Sequence, residues 1–234
     1  MPDNTPKALT GIKLLKDVPP VALAEVEAHC RYKKFAAGEQ IFDRHAQTKD
    51  IFFVIKGKVR VVNYSFSGRE VTLDDITDGQ QFGELAAIDG EPRSASLMAL
   101  TECLIVVMPS GRFLGLLEEF PLVALTIMQH LSRLVRLSTE RIMVLSTLGA
   151  NNRVHVDLLR LAQAAEDFDG AENEVVLKPI PVHGDIASRV STTRETVARV
   201  MNDLARKGIV ERTKNSLIIH DLGKLESLVK DVQG

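Results

Sequence analysis

The stretch Phe82-Gly-Glu-Leu-Ala-Ala-Ile-Asp-Gly-Glu-Pro-Arg-Ser-Ala95 gathers residue types suited to an anion that carries a sugar. Gly83 lets the backbone approach a ligand closely, and a short helical turn beginning there presents free N–H groups. Arg93 follows across the Asp89-Gly90 turn, where a guanidinium can fold back onto the same anion through two parallel bonds. Ser94 adds a hydroxyl. Glu84 would repel a phosphate, but its carboxylate can accept a hydrogen bond from a ribose hydroxyl of the same ligand. One phosphate and one free ribose hydroxyl in a compact cassette suit a cyclic nucleotide. The competing reading is an ordinary Arg93–Glu84 salt bridge in a turn.

A second pair of groups, Ser138 and Thr139, lies in a segment of different texture. Leu131, Val135, Ser138, Ile142 and Leu145 recur at steps of four and three, the spacing of a coiled-coil seam. A serine there either satisfies itself on a carbonyl one turn back or meets a ligand.

The third group runs from His183 to Ile219. His183–Val190 reads as a short amphipathic helix, Ser191-Thr-Thr193 as a turn, and Thr193–Lys207 as a second helix stopped by Gly208. Ile186, Ala187 and Val190 would face inward from the first, with Val197, Val200, Met201 and Leu204 inward from the second. Arg194, Glu195 and Arg199 fall on the exposed side of the second helix. Arginine there can hold guanine O6 and N7, and glutamate can accept from cytosine N4. Glu195 also fits a capping box with Thr192. From His183 to Lys214 seven basic residues stand against four acidic ones, a local +3 in a chain of net charge −2. DNA binding needs such a local basic face.

The elements that must position these groups are legible in outline. Ile51–Ile55, Val59–Val62, Val71–Leu73 and Leu104–Val107 are β-rich runs, separated by turn signals at Gly57, Gly68, Gly79 and Gly90. Short strands with no helix-period segment between them predict an antiparallel jelly-roll or β-roll. Between Leu122 and Leu148 there is no Pro or Gly, which predicts one helix of about seven turns. One of its faces would pack on the roll and its seam on a second copy. Gly149-Ala-Asn-Asn152 supplies C-cap and hinge chemistry, so the domain boundary is expected at Gly149–Asn151. The expected domains are thus residues 1–149, with the helix at about 122–148, and residues 150–234. A further helix over about Arg153–Ala165 and a polar loop, Asp167–Asn173, follow the hinge. Two β-rich runs, Ile209-Val210 and Leu217–Ile219, complete a winged helix-turn-helix. The fold class expected is α+β.

Composition narrows the function classes. Hydrophobic residues make up 45% and charged residues 26% of 234, the make-up of a globular chain. Cys30 and Cys103 are too few for a disulfide scaffold or a four-cysteine metal site. His29, His45, His130, His155, His183 and His220 are scattered, and no nucleophile–base pair or metal spacing stands out, so no catalytic or metal residue is assigned and no enzyme is expected. The segment Met1–Pro6 lacks the pattern of a signal peptide, and no apolar run is long enough for a membrane span. The expectation is a cytoplasmic protein with no membrane partner.

The cassette resembles the phosphate-binding cassette of cyclic-nucleotide-binding domains, through Phe-Gly-Glu-Leu-Ala and Pro-Arg-Ser-Ala. With the long helix and the Arg-Glu-Thr-Val-Ala-Arg helix in this order, nearly the whole chain resembles the Crp–Fnr superfamily of bacterial transcription regulators. That resemblance implies that Gly83, Glu84, Leu85, Ala86, Arg93 and Ser94 hold phosphate and ribose. It implies that Ser138 and Thr139 touch the purine as paired hydroxyls, one from each subunit of a homodimer. It also implies that Thr193, Arg194, Glu195, Thr196 and Arg199 meet double-stranded DNA, on a palindromic operator with TGTGA-type half-sites, with RNA polymerase as a further partner. The family order at the hydroxyl pair is threonine then serine; here it is reversed, an order that resembles Clr-type regulators of rhizobia. The ligand expected is cAMP, with cGMP open, since in the kinase branch a hydroxyl after the cassette arginine accepts the guanine amino group. The alternatives are a nucleotide-responsive module acting through protein partners and a superfamily regulator sensing another ligand. Oxygen-sensing branches carry an N-terminal cysteine cluster, which is missing, and haem-sensing branches replace the cassette. The Asp167–Asn173 loop is the candidate polymerase contact.

Overall fold

A computed structural model describes residues 8–165, 168 and 173–230, and the chain divides into two compact units between Val135 and Arg136. The terminus Met1–Pro6 and the candidate polymerase loop, apart from Phe168 and Asn173, lie outside the described residues.

In the N-terminal unit, two short 3-10 turns (Ala8–Gly11 and Lys13–Leu15) and helix α1 (Pro20–Glu27) precede strands β1 (Arg31–Phe35), β2 (Gln40–Phe42), β3 (Ile51–Lys56), β4 (Val59–Tyr64), β5 (Glu70–Ile76) and β6 (Gln81–Phe82). Helix α2 (Glu84–Asp89) interrupts the strands before β7 (Ser96–Ala99) and β8 (Cys103–Met108). Helix α3 (Ser110–Glu119) leads into the long α4 (Pro121–Thr147). The strands form two antiparallel sheets, ordered β1-β8-β3-β6 and β2-β7-β4-β5. This is the expected β-roll.

The unbroken apolar run of β3 follows from burial on both faces, because successive side chains point to opposite sides. Phe52 and Val54 enter the core between the sheets with Ile105, Val107, Phe82 and Leu97. Ile51 and Phe53 point the other way, into a second core with Phe113, Leu116, Val123 and Ile127 from α3 and α4. Strand β1, Arg-Tyr-Lys-Lys-Phe, was not among the strands named from sequence. It is a sheet edge exposed along most of its length, where charged residues discourage pairing with another chain.

The C-terminal unit contains the distal part of α4, then α5 (Ala150–Gln163), β9 (Val175–Leu177), α6 (His183–Arg189), α7 (Arg194–Arg206), β10 (Val210–Arg212), β11 (Leu217–Ile219) and α8 (Leu222–Lys230). Its core joins Val154 and Leu158 of α5 to Ile186, Val197, Val200 and Leu204, and to Leu217, Ile219 and Leu225. The wing is a three-stranded sheet, β10-β11-β9; β9 and α8 extend the winged fold beyond the elements expected. The compact division, between Val135 and Arg136, falls inside α4. The distal helix belongs to the second unit because it bonds there: Arg141 donates to Arg189 O at 2.9 Å and Glu140 pairs with Arg160 at 3.5 Å. Gly149 is not a left-handed helix C-cap either. With φ −65 and ψ 159 it is the extended N-cap of α5.

Candidate functional sites

Arg93 is the organising residue of the cassette. It is 2% exposed. Its Nη1 donates to Gly83 O at 2.9 Å, its Nη2 to Asp50 O at 2.7 Å and its Nε to Thr48 Oγ1 at 3.1 Å. The guanidinium carbon lies 4.4 Å from the ring centre of Phe42 and 5.2 Å from that of Phe52, within cation–π range. Burial pulls its pKa below the ordinary arginine value, while the charges of Asp50 and Glu84 oppose that pull. A guanidinium has five N–H donors, so these contacts hold the group in place and leave donors for an anion.

Gly83 is left-handed at φ 80, and a Cβ there would stand 2.7 Å from Arg93 Nη1 and 3.2 Å from the Phe52 ring. Glycine is required on both counts. It is also the N-cap of α2, whose start has no side-chain cap, so first-turn amides remain for an acceptor. Glu84 is buried, and His130 Nε2 lies 3.8 Å from its Oε1. Arg93 directs three donors to carbonyls and a hydroxyl and makes no ion pair with Glu84 among the described residues, so the plain Arg93–Glu84 salt bridge does not form. Ala86 is buried, whereas Leu85 and Ser94 are exposed. A buried cation in an aromatic and carbonyl frame, beside a buried carboxylate, fits a phosphate with an attached ribose.

Ser138 and Thr139 are exposed on α4 and belong to the C-terminal unit. Along the same helix the hydroxyls of Thr126, Ser132 and Thr147 donate to carbonyls one turn back, at 2.8, 2.9 and 2.7 Å. Ser138 makes no such bond among the described residues, so its hydroxyl is not consumed by the helix. On the seam, Val135 is 65% and Ile142 62% exposed.

In the helix-turn-helix, Thr193 is the N-cap of α7 and accepts from Thr196 N at 3.2 Å. Thr192 is buried instead of capping, so the expected capping box with Glu195 does not form: with Thr193 as N-cap the third helical position is Thr196. The Glu195 carboxyl is held below its usual range by its own backbone N–H, the Thr193 hydroxyl and Arg194. It is therefore a charged acceptor at the exposed start of α7. The basic face is narrower than composition suggested. Arg189 grips Asp157 through Nε and Nη2 at 3.0 and 2.8 Å, and Arg206 and Lys207 both pair with Asp203. Arg194, Arg199, Arg212 and Lys214 are exposed and make no ion pair among the described residues. Arg194 lies over Gly184, and Arg199 Nη2 donates to Asn151 Oδ1 at 3.3 Å.

His220, after β11, joins the wing strands. Glu174 Oε2 lies 2.7 Å from Nδ1 and Glu211 Oε2 lies 3.0 Å from Nε2. Both ring nitrogens donate only when the imidazole is protonated, so Glu174 first and Glu211 next raise its pKa. The stabilisation is complete below the unfolded-state value, about 6.5, and is lost as pH rises through the higher folded-state value. Wild-type thermal stability should therefore fall relative to His220→Gln as pH rises above about 6.5. A gap between the two proteins that does not change with pH would remove the carboxylate clamp from the account.

No helix among the described residues is long and apolar enough to cross a membrane, and no cluster of three His, Cys, Asp or Glu among them could hold a metal ion. Both cysteines are free, and burial next to Glu27 pushes the Cys30 thiol up to about 11, away from thiolate chemistry.

Two family descriptions match the chain: a cyclic nucleotide-binding domain over residues 32–120 and a Crp-like helix-turn-helix domain over residues 152–228. The cyclic AMP receptor protein of Thermus thermophilus is 27% identical over 94% of this chain and 98% of its own length. Among solved structures, a CooA mutant from Carboxydothermus hydrogenoformans superposes with TM-score 0.76 at 24% identity, over 88% of this chain and 90% of its own. The c-di-GMP responsive regulator CLP of Xanthomonas campestris gives TM-score 0.72 at 19% identity, over 86% and 99%. The latter two establish likeness of fold.

Proposed function

Because the chain belongs to the Crp–Fnr superfamily of cyclic-nucleotide-binding transcription regulators, which are not enzymes, we propose that it is a cAMP-dependent activator that binds DNA as a homodimer. The observation that carries the ligand assignment is Arg93, buried without a carboxylate in contact and with donors to spare beside Gly83 and Glu84. Phosphate would meet Arg93, the α2 amides and Ser94, with Leu85 and Ala86 shaping the turn; ribose would meet Glu84. Ser138 and Thr139 would read the purine. The exposed seam around Val135 and Ile142 supports a second copy along α4.

The DNA-facing set would be Thr193, Arg194, Glu195, Thr196 and Arg199, with Arg212 and Lys214 on the wing available to phosphates. A two-fold dimer would place the α7 helices on half-sites about one helical turn apart. RNA polymerase is the expected protein partner and the cytoplasm the expected compartment.

The test is a mobility shift on a TGTGA–TCACA palindrome with no nucleotide, cAMP, cGMP or c-di-GMP. Retardation with cAMP alone supports the reading; cGMP alone or c-di-GMP alone reassigns the ligand, and no nucleotide dependence overturns it. Arg194→Ala or Arg199→Ala should each cost about 1–3 kcal/mol of operator affinity and relax preference at one guanine. Site selection that returns an unchanged base preference for Arg199→Ala would remove α7 as the reading helix.

A further inference from the structure

Helix α6 ends at Arg189, and the turn that follows carries Ser191 at φ 52, a left-handed position for a residue with a Cβ. The carbonyls at a helix C-terminus lack intrahelical partners. Here two arginines from other helices supply them. Arg141 of α4 donates through Nη2 to Arg189 O at 2.9 Å, and Arg153 of α5 through Nη2 to Ser191 O at 3.3 Å. Cations at this end also complement the helix dipole. The Arg189 side chain is itself fixed by Asp157 of α5, which is 5% exposed. The end of α6 is thus held from two sides, by α5 through Asp157 and Arg153 and by α4 through Arg141.

Arg141 is held there against opposition. Burial lowers its pKa and Arg160 repels it, with Asp157 opposing both. It lies three residues after Ser138 on the same helix, which is about 4.5 Å along the axis and close to the same face. A hydrogen bond tolerates little displacement. A shift of α4 of about 1 Å therefore either moves the end of α6 or breaks the contact.

We propose that Arg141 is the positioning residue by which α4 sets the placement of the helix-turn-helix, so that a nucleotide-dependent change in α4 reaches α7 through Arg189 O and the Ser191 turn. This inference rests on the nucleotide-regulator reading above. Arg141 touches neither ligand nor DNA in that reading; it acts through its bond to the Arg189 carbonyl. A purely structural role predicts lower stability with the nucleotide response kept.

The experiment uses the full chain, a fluorescent TGTGA–TCACA duplex and anisotropy with and without saturating cAMP, with cAMP binding measured by calorimetry. Arg141→Met keeps the apolar stem and removes the donors. It should bind cAMP within about twofold of wild type, while the cAMP-induced gain in DNA affinity falls from roughly 5- to 150-fold to less than about threefold. Arg141→Lys, which restores a donor, should recover part of the gain. An Arg141→Met protein with the wild-type gain overturns the proposal, and so does one that loses cAMP affinity and gain together. Amide exchange of the wild type is a check that needs no variant: cAMP should alter protection of the Val190 and Thr192 amides, which bond Ile186 O and Ala187 O, and unchanged protection there also overturns it. If wild type binds no cAMP in the calorimeter, the nucleotide reading falls and this proposal with it; if it binds and only the Arg141 comparison fails, the nucleotide reading stands.

Discussion

Arg93→Ala is expected to weaken cAMP binding by roughly 2–5 kcal/mol, because a phosphate brought into a buried site would lose its cation. The structure adds a second consequence. Arg93 donates to Gly83 O, Asp50 O and Thr48 Oγ1 and lies against Phe42 and Phe52. Alanine leaves those acceptors and rings without their partner, so ligand-free stability should fall as well. Arg93→Lys separates the two effects. A lysine keeps the charge and some of the stem packing but lacks the planar fork that reaches Gly83 O, Asp50 O and Thr48 Oγ1 together. Its cAMP affinity should lie between those of wild type and alanine. Calorimetry is the measurement, with thermal unfolding as the check on folding; alanine binding within threefold of wild type would exclude Arg93 as the phosphate anchor.

The Ser138→Ala, Thr139→Ala double variant is expected to bind cAMP through the cassette yet lose the response of DNA binding to it. A ligand shifts an equilibrium only by its differential affinity for two arrangements. If the purine contacts made by these hydroxyls supply that difference, their loss removes a coupling of about 1–3 kcal/mol, or roughly 5- to 150-fold in operator affinity. Helix damage is a poor rival explanation. Alanine is the strongest helix former, and among the described residues the Ser138 hydroxyl carries no bond to a carbonyl one turn back, unlike Thr126, Ser132 and Thr147. The opposing view sends the signal from the cassette through the β-roll and leaves these hydroxyls to tune packing. It predicts a normal response of the double variant in anisotropy at saturating cAMP. The Arg141 variants complete the comparison, since they lie beyond the hydroxyls on the same helix and spare them.

Several features follow from chain-local signals. The αL turn at Gly83, the helix of Glu84–Asp89 after it, the long helix from Pro121 and the two helices around Ser191-Thr-Thr193 are set by glycine, proline, capping residues and apolar period. Such signals act over a few residues, so they survive in the bare sequence. The cassette's residue types and their order were legible for the same reason, as was the exposed α7 start with Arg194, Glu195 and Arg199. A one-residue ambiguity remained at that start: Thr192 and Thr193 are both threonines, and packing buried the first, leaving the second to cap.

What surrounds those motifs was decided by the folded chain. Thr48 and Asp50 hold Arg93 across 45 and 43 residues, and no local pattern marks either as its partner. Sheet pairing brings them there, since β3 lies between β6 and β8 while Gly83 follows β6 directly. Arg189 counted toward the basic face until Asp157, 32 residues away, took its guanidinium. Arg141 had no signature at all. The compact division of the chain inside α4 has the same origin, because a continuous helix conceals where its neighbours change. Residue type and period specify which element forms and what chemistry its side chains carry. Which donors remain for phosphate or DNA depends on long-range pairing, because a buried guanidinium or carboxylate must find a partner wherever the fold supplies one.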